Sequence, residues 1–256
     1  EETLIGGQAV MEGVMMRAPH SYCVAVRKPD GKIITDEMQV PRVSERYPLF
    51  KYPVFRGVGT LGQALHLGMK ALRFSANAAI AAEQEGEQAK ELSPWMMTLN
   101  LMFSLAFFIF LYKFIPLYLT TLIAKWFPVV EGRILFNLVD GVIRMAIFLI
   151  FLLSISMWKD IRRVFEYHGA EHKVVYNYES GQPLTVENAR EFSTLHPRCG
   201  TSFLLVVMVI SIGVYALIPF DGFLAKFLSR IALLPVIAGL SYELIRFAAK
   251  HRQSVL

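Results

Sequence analysis

Cysteines and charged residues are both scarce in this sequence. Its 256 residues include only Cys23 and Cys199, far apart along the chain. This excludes the disulfide-rich scaffold of small secreted proteins and predicts two free thiols in a reducing compartment. Charged residues make up 18% and hydrophobic residues 54% of the chain, whereas ordinary soluble domains carry roughly 25% charged residues. The composition indicates a membrane protein.

Signals for nucleic-acid and nucleotide binding are also missing. The formal net charge is +5, but no repeat of basic and aromatic residues occurs of the kind that nucleic-acid grooves use, so we expect no nucleic-acid partner. The Gly-rich stretch from Gly6 to Arg17 lacks the Lys-Ser/Thr ending of a phosphate-binding loop, so we interpret it as structural. The surplus positive charge is better explained by membrane topology.

Four apolar segments are long enough to cross a hydrocarbon core of about 30 Å. They cover residues 95–127, 137–158, 198–221 and 228–247. The first is too long for one straight span and contains Lys113 and Pro116, so we expect a kinked or tilted helix. The predicted fold class is therefore a membrane α-helical protein with about four transmembrane helices, and its first partner is the lipid bilayer.

Residues 1–58 predict a small α+β module that is rich in β-structure. Two alternating stretches, Ser21 to Arg27 and Lys32 to Val40, flank Pro29-Asp30-Gly31, a strong turn signal, and predict a β-hairpin. The preceding residues 6–17 predict one further strand, loosened by glycines.

The remaining chain divides into two predicted parts. Residues 59–94 predict an amphipathic helix over 59–84 and an acidic linker. Residues 95–256 form the transmembrane domain, with a polar loop at 159–200 between the second and third spans.

The polar loop holds a compact group of metal-ligand side chains. His168 and His172 stand four residues apart, so on a helix they share one face, about 6 Å apart along the axis. With Glu171 between them, the order His-x-x-Glu-His is the inverted zinc-peptidase pattern, in which the histidines ligate zinc and the glutamate activates water. His196 and Cys199 add an imidazole and a thiolate. We predict that these four groups bind zinc or another divalent metal.

The number of ligands leaves two classes of function open. Four protein ligands close a zinc site, as in structural sites, whereas three leave a position for catalysis. The leading hypothesis is a hydrolase that uses metal-activated water on an amide or ester, with Glu171 as the catalytic base. The alternative is a non-enzymatic membrane scaffold or adaptor whose loop is stabilised by a structural metal and whose N-terminal module meets a protein partner. Homo-oligomerisation is also open.

Helical spacing extends into the loop. Trp158, Phe165 and His172 recur at helical intervals, so we expect the second span to continue as a helix past the membrane surface. Thr185 is expected to cap a short helix over Val186 to Leu195.

Two further positions carry charges in or near the spans. Asp140 and Arg144 stand four apart within the second span and should pair with each other or line a polar interior. Transport through them is a third function, which the scarcity of other polar residues in the spans disfavours. Glu243, near the end of the last span, is a candidate for orienting a ligating histidine.

Basic residues predict the orientation. They concentrate in the loop 159–200 and in the tail, whereas the connections at 125–136 and 220–230 carry few. The positive-inside rule therefore predicts a multi-pass protein of the cell (inner) membrane whose N-terminus and 159–200 loop are cytoplasmic.

Four phrases of the sequence resemble the YqhQ-like bacterial membrane family. They are GGQAVMEGVMMR (6–17), YHGAEHK (167–173), LTVEN (184–188) and HPRCGTSF (196–203). The resemblance extends over nearly the whole chain. That family is described as predicted metal-dependent enzymes of otherwise unknown function, so the resemblance implies a metal role for His168, Glu171, His172, His196 and Cys199.

Overall fold

The chain divides into two compact units in a computed structural model that describes residues 5–41, 43–83, 93–196 and 199–250. Unit 1 comprises Glu1–Leu49, Gly59–Ser93 and Ile155–Cys199, and unit 2 comprises Phe50–Val58, Pro94–Ser154 and Gly200–Leu256. The loop that carries the predicted metal ligands therefore groups with the N-terminal module, although the two are far apart in sequence.

The strands and helices follow in chain order. The strands are β1 (Gly6–Val10), β2 (Gly13–Arg17), β3 (Ser21–Arg27) and β4 (Ile33–Gln39). The helices are α1 (Val43–Arg46), α2 (Phe55–Glu83), α3 (Pro94–Ile109), α4 (Ile115–Trp126), α5 (Arg133–Ser156), α6 (Lys159–Glu179), α7 (Val186–Glu191), α8 (Gly200–Leu217), α9 (Phe223–Ala232) and α10 (Leu234–Lys250). Short 3₁₀ turns lie at Pro48–Lys51 and Pro128–Glu131, and a π-helical turn joins α3 to α4 at Phe110–Phe114.

Unit 1 contains an antiparallel sheet in the order β1-β2-β3-β4. The predicted hairpin of β3 and β4 is confirmed, and Gly31 has the positive φ, 85°, that its turn uses. The single strand predicted over residues 6–17 is two strands, because the chain reverses at Met11-Glu12, where Glu12 has a φ of 50°.

Helices cover both faces of this sheet. Val10, Val24 and Val26 of the strands are buried with Leu67 and Ala71 of α2. This apolar contact explains the alternation in the strands and the helical period in α2, which begins at Phe55, slightly earlier than predicted.

The other face of the sheet packs against α6. The Gln8 side chain packs against Gly68 of α2, whereas a Cβ on Gly7 would lie 2.5 Å from Glu171 Cγ in α6. Since successive strand residues point to opposite faces, α2 and α6 lie on opposite sides of β1. The predicted acidic linker after α2 falls largely outside the described residues.

The second apolar helix does not continue into the loop as predicted. Helix α5 ends at Ser156, and α6 begins at Lys159 after Trp158, whose extended backbone (ψ 130°) interrupts the helical hydrogen bonds. The periodicity identified both helices but not this break. Helix α7 begins where predicted, because the Thr185 side chain accepts a hydrogen bond from the Asn188 amide, but it ends at Glu191 instead of Leu195.

Unit 2 consists of apolar helices. Three are long and apolar enough to cross a membrane: Thr98–Trp126, Arg133–Ser156 and Gly200–Leu217. The pair Phe223–Ala232 and Leu234–Ala248, bent by 50°, makes a fourth if it is one broken span. This agrees with the predicted count of about four.

The first of these helices is irregular next to Pro116. Pro116 lacks an N–H and its ring crowds the carbonyl four residues earlier, at Tyr112. The chain accommodates this with the π-helical turn at Phe110–Phe114, which places Lys113 in the interior of unit 2. Packing there is aromatic: the Phe114 ring contacts Phe223 and Phe227 of α9, with centroids 5.5 and 5.9 Å away.

Candidate metal centre

Three of the predicted ligands meet in unit 1. The rings of His168 and His172, on one face of α6, lie with their centroids 4.3 Å apart. The Cys199 Sγ lies 3.1 Å from His168 Nε2. One ligand atom from each of the three residues can be chosen so that all lie within 4.8 Å of one another. The i, i+4 spacing supplies the two imidazoles, and the returning chain supplies the sulfur.

The hydrogen bond of His172 fixes its tautomer. Its Nδ1–H donates to the Thr194 carbonyl oxygen at 2.6 Å. In the neutral imidazole the lone pair is then on Nε2, which is buried and has no hydrogen-bond partner among the described residues. A neutral histidine whose far nitrogen is held by a carbonyl is the usual form of a metal-ligating histidine. This buried, unpartnered lone pair fits a metal ligand.

The donor atoms also fit zinc in type and spacing. Bond lengths of about 2.0–2.3 Å place the ligand atoms of a tetrahedral zinc about 3.3–3.8 Å apart. His168 Nε2 and Cys199 Sγ lie 3.1 Å apart, and all three ligand atoms lie within 4.8 Å of one another. These distances enclose the expected range. Two imidazoles and a thiolate are donors that zinc binds well.

Glu171 is buried beside both imidazoles. Its side chain is 6% exposed, and its Oε2 lies 3.6 Å from His168 Nδ1 and 3.6 Å from His172 Nε2. These separations exceed a hydrogen bond, so the carboxylate borders the ligand group without being committed to either ring. Gly7 of β1 packs directly on it, because a Cβ there would lie 2.8 Å from Glu171 Oε1.

The Cys199 sulfur affects the protonation of His168. The hydrogen bond to this sulfur raises the pKa of His168, against the opposing effect of burial. Metal binding requires the neutral imidazole and the thiolate, so metal and protons would compete for this pair.

The fourth predicted ligand lies next to the group. His196 is buried, with its ring centroid 5.8 Å from that of His172 and 4.4 Å from that of Tyr176. Its Nε2 lies 3.5 Å from Glu179 Oε2. Among the residues described, the ligand atoms that lie within 4.8 Å of one another belong to His168, His172 and Cys199. His196 is not part of this group.

Several contacts hold the returning chain against α6. Lys173 Nζ donates to the Arg190 carbonyl at 2.7 Å, and Asn177, fully buried, donates to the Pro183 carbonyl at 3.1 Å. These bonds hold Pro183 and Arg190 against α6, and the Thr194 carbonyl contacts His172 further along the chain. Neither they nor the roles of Gly7 and the Thr194 carbonyl were predicted from the sequence, since each depends on tertiary contact.

The turn between β1 and β2 is tied to the same helix. The Glu12 carboxylate accepts hydrogen bonds from Arg163 Nε at 3.0 Å and from the Tyr167 hydroxyl at 3.0 Å. The Arg163 hydrogen bond is the main reason that the pKa of Glu12 lies below its ordinary value. Burial raises the pKa of Tyr167, and its hydrogen bond to Glu12 adds to this effect.

The other predicted charged residues lie in unit 2. Asp140 accepts hydrogen bonds from Arg144, as the i, i+4 spacing suggests, and also from Arg230, which was not predicted. The Glu243 carboxylate accepts two hydrogen bonds from Arg56, from Nε at 3.1 Å and from Nη2 at 2.5 Å, and the two residues form a bidentate pair. Its predicted role in orienting a histidine remains a prediction.

Comparison with known proteins places the chain in a family. A family model described as "Protein of unknown function (DUF1385)" matches residues 52–256. The "Uncharacterized protein YqhQ" of Bacillus subtilis (strain 168) is 34% identical over 259 residues, covering 96% of this chain and 79% of that protein. No solved structure matches the chain. The chain therefore belongs to the DUF1385 family, the YqhQ-like family of proteins of unknown function.

Proposed function

We propose that the protein is a membrane-anchored, metal-dependent hydrolase with zinc held by His168, His172 and Cys199. The observation that carries this proposal is the buried, unpartnered Nε2 of His172, which lies beside a second imidazole and a thiol. A buried polar atom without a partner is costly, and a metal ion would satisfy it. Three protein ligands leave one position open, as in catalytic zinc sites.

Glu171 has the position of a general base. When bound, zinc would polarise a substrate carbonyl and acidify water. Glu171 lies 3.6 Å from a nitrogen of each histidine, close enough to accept a proton at Oε2 from a water held in the open position. Burial and the contact with Gly7 limit its rotamers, so the carboxylate is held ready for this role.

We also propose a membrane setting for this site. The three apolar helices and the bent pair would span the bilayer, and the excess of basic residues in the 159–200 loop would keep that loop in the cytoplasm. Cys199 immediately precedes α8 in sequence, so the metal would lie near the inner surface of the cell membrane. A reducing cytoplasm keeps the thiol available for the metal.

A structural role for the metal is the second candidate. It is favoured by the position of His196 beside His172, since a small shift of His196 would supply a fourth ligand and close the site. The metal would then fix the returning chain to α6. In this scaffold, the edge strand β4, with Ile33 62% exposed, would meet a protein partner.

Substituting Glu171→Gln separates the two candidates. The matched control is Glu166→Gln, an exposed acid on the same helix. Both detergent-solubilised variants and the parent are assayed for zinc by elemental analysis and for hydrolysis of a nitrophenyl ester and a fluorogenic peptide library. A hydrolase keeps its zinc in all three samples, and Glu171→Gln lowers turnover by about 10²- to 10⁴-fold while the control does not. Equal turnover in all three zinc-loaded proteins, or none in any, supports the scaffold instead.

A further inference from the structure

Unit 2 contains a buried network of charged side chains. Asp140 of α5 accepts hydrogen bonds from Arg144 and from Arg230 Nη1. Arg144 also donates to the Ser211 hydroxyl, and Arg230 Nη2 donates to Asn137 Oδ1 at 2.9 Å. The two arginines and the aspartate are each at most 2% exposed. The network therefore connects α5 to α8 and α9.

A third cation joins through Tyr215. Lys113, on the π-helical turn and 7% exposed, donates to the Tyr215 hydroxyl at 2.9 Å. That hydroxyl donates to the Arg230 carbonyl at 3.3 Å. The Tyr215 ring faces all three cations: Lys113, Arg144 and Arg230 lie 5.3, 5.4 and 4.9 Å from its centroid. Cation–π attraction offsets part of the mutual repulsion of these groups but supplies no negative charge.

The network has more positive than negative charge. It holds three basic side chains and one carboxylate, and Asp140 is the one carboxylate buried in the described part of unit 2. Arg144 Nε is buried without a hydrogen-bond partner among the described residues. Burying an uncompensated charge is expensive, most of all within a membrane, so this excess calls for a bound counter-charge.

A cavity of about 60 Å³ adjoins the network. Asn137, Tyr215 and Arg230 belong to both, and Arg133 and Lys226 add two further cations to the cavity wall. Glu131 and Asp221 also line the cavity; like Arg133 they are exposed, so solvent screens their charges more than that of the buried Arg230. A site needs at least about 10–15 Å³ to hold one water, so this space admits a small polar ligand.

We propose that this cavity binds the phosphate of a phosphomonoester or of inorganic phosphate. Such a group carries a charge of about −1.5 to −2 at neutral pH, opposite in sign to the excess charge of the network. Its oxygens would accept the N–H groups of Arg230 and of Asn137 Nδ2 that remain after the hydrogen bonds to Asp140, to Asn137 Oδ1 and to the Arg133 carbonyl. The irregular backbone supports a binding role. Lys113 lies in the π-helical turn, and Arg230 lies just before the break between α9 and α10.

Two sources can supply this phosphate. The cavity lies at the ends of α5 and α8 that adjoin Phe127 and Phe220, which are 60% and 51% exposed. Aromatic side chains of this kind sit at the headgroup level of a bilayer. The phosphate of a lipid such as phosphatidic acid and free phosphate are therefore both sterically suited, and the experiment has an arm for each.

The test uses the full chain in detergent at constant ionic strength. Thermal unfolding and calorimetry compare millimolar inorganic phosphate with chloride, and phosphatidic acid with phosphatidylcholine in mixed micelles. Lys113→Met removes a buried cation, Arg230→Lys keeps the charge and loses the fork, and Lys125→Met, an exposed lysine of the same apolar helix, is the matched control.

We expect the parent and Lys125→Met to be stabilised by phosphate or phosphatidic acid, and Lys113→Met and Arg230→Lys to bind about tenfold more weakly or worse. Without the anion, Lys113→Met should melt at a higher temperature than the parent, because one uncompensated charge is gone. Stabilisation by phosphate identifies the free ion, and stabilisation by phosphatidic acid alone identifies a lipid. The proposal is overturned if neither stabilises the parent more than chloride or phosphatidylcholine does, or if Lys113→Met and Lys125→Met bind equally well.

Discussion

His172 and Gly7 show how single residues define the metal centre. The Thr194 carbonyl selects the tautomer of His172 and thereby directs a lone pair towards His168 and Cys199. On the other side, Gly7 brings the backbone of β1 against Glu171. Main-chain groups that no ligand motif includes thus position His172 and Glu171.

Gly7→Ala should therefore damage the site, and Gly6→Ala should not. A Cβ at Gly7 would overlap Glu171, whereas a Cβ at Gly6 meets nothing within 4 Å. We expect Gly7→Ala to cost about 1–3 kcal/mol, as overpacking does, and to lower the melting temperature of the detergent-solubilised protein. Gly6→Ala serves as the control and should change little. Equal melting temperatures for the two variants would contradict the packing of β1 on Glu171.

The sequence predicts the residues of the centre better than their surroundings. The pair His168 and His172 follows from helical spacing, because both lie on one rigid element. Cys199 could be named as a donor, since its thiol chemistry is local. Its 3.1 Å contact with His168, the part played by Gly7 and the carbonyl of Thr194 all require tertiary contacts that periodicity does not specify.

At the level of elements, periodicity located most helices and strands but missed the breaks between them. The β3–β4 hairpin and the N-cap at Thr185 were predictable, because turn and capping residues act locally. The turn at Glu12 and the interruption at Trp158 lack such local markers. The burial of Lys113 and Arg230 in unit 2 was not predicted, because it depends on the π-helical turn and on the packing of α9.

The link between the β1–β2 turn and α6 predicts a pH dependence. The folded-state pKa of Glu12 lies below its ordinary value of 4.5 because of the Arg163 hydrogen bond. A depressed acid pKa contributes stability that is present above the unfolded-state value and is lost as the pH falls through the folded-state value. We therefore expect Glu12→Gln to lower the melting temperature slightly at neutral pH, since both partners are half exposed.

The same comparison at acidic pH tests the sign. The difference in melting temperature between the parent and Glu12→Gln should be constant above about pH 5 and shrink below about pH 4.5. Glu45→Gln is the control, because this exposed acid lies elsewhere in unit 1. A difference that grows on acidification would show that the pKa of Glu12 is raised and that the contact with Arg163 is not stabilising.

In the whole molecule, the two units alternate along the chain. The metal ligands are carried by a segment that lies between two apolar helices in sequence but groups with the N-terminal sheet. Composition predicted the apolar helices, because span length and apolarity are properties of contiguous sequence. It could not predict this grouping, which depends on contacts between distant segments. Under the proposed function, apolar helices would anchor the protein while α6 and Cys199 would hold the metal.

Zinc content tests this account most directly. Purified protein is compared by elemental analysis with His172→Ala, with Cys199→Ala and with the control His66→Ala, whose histidine is exposed on α2. The account predicts about one zinc per chain in the parent and the control and a large loss in the other two. Equal metal content in all four proteins, or a parent that binds no divalent metal, would contradict it.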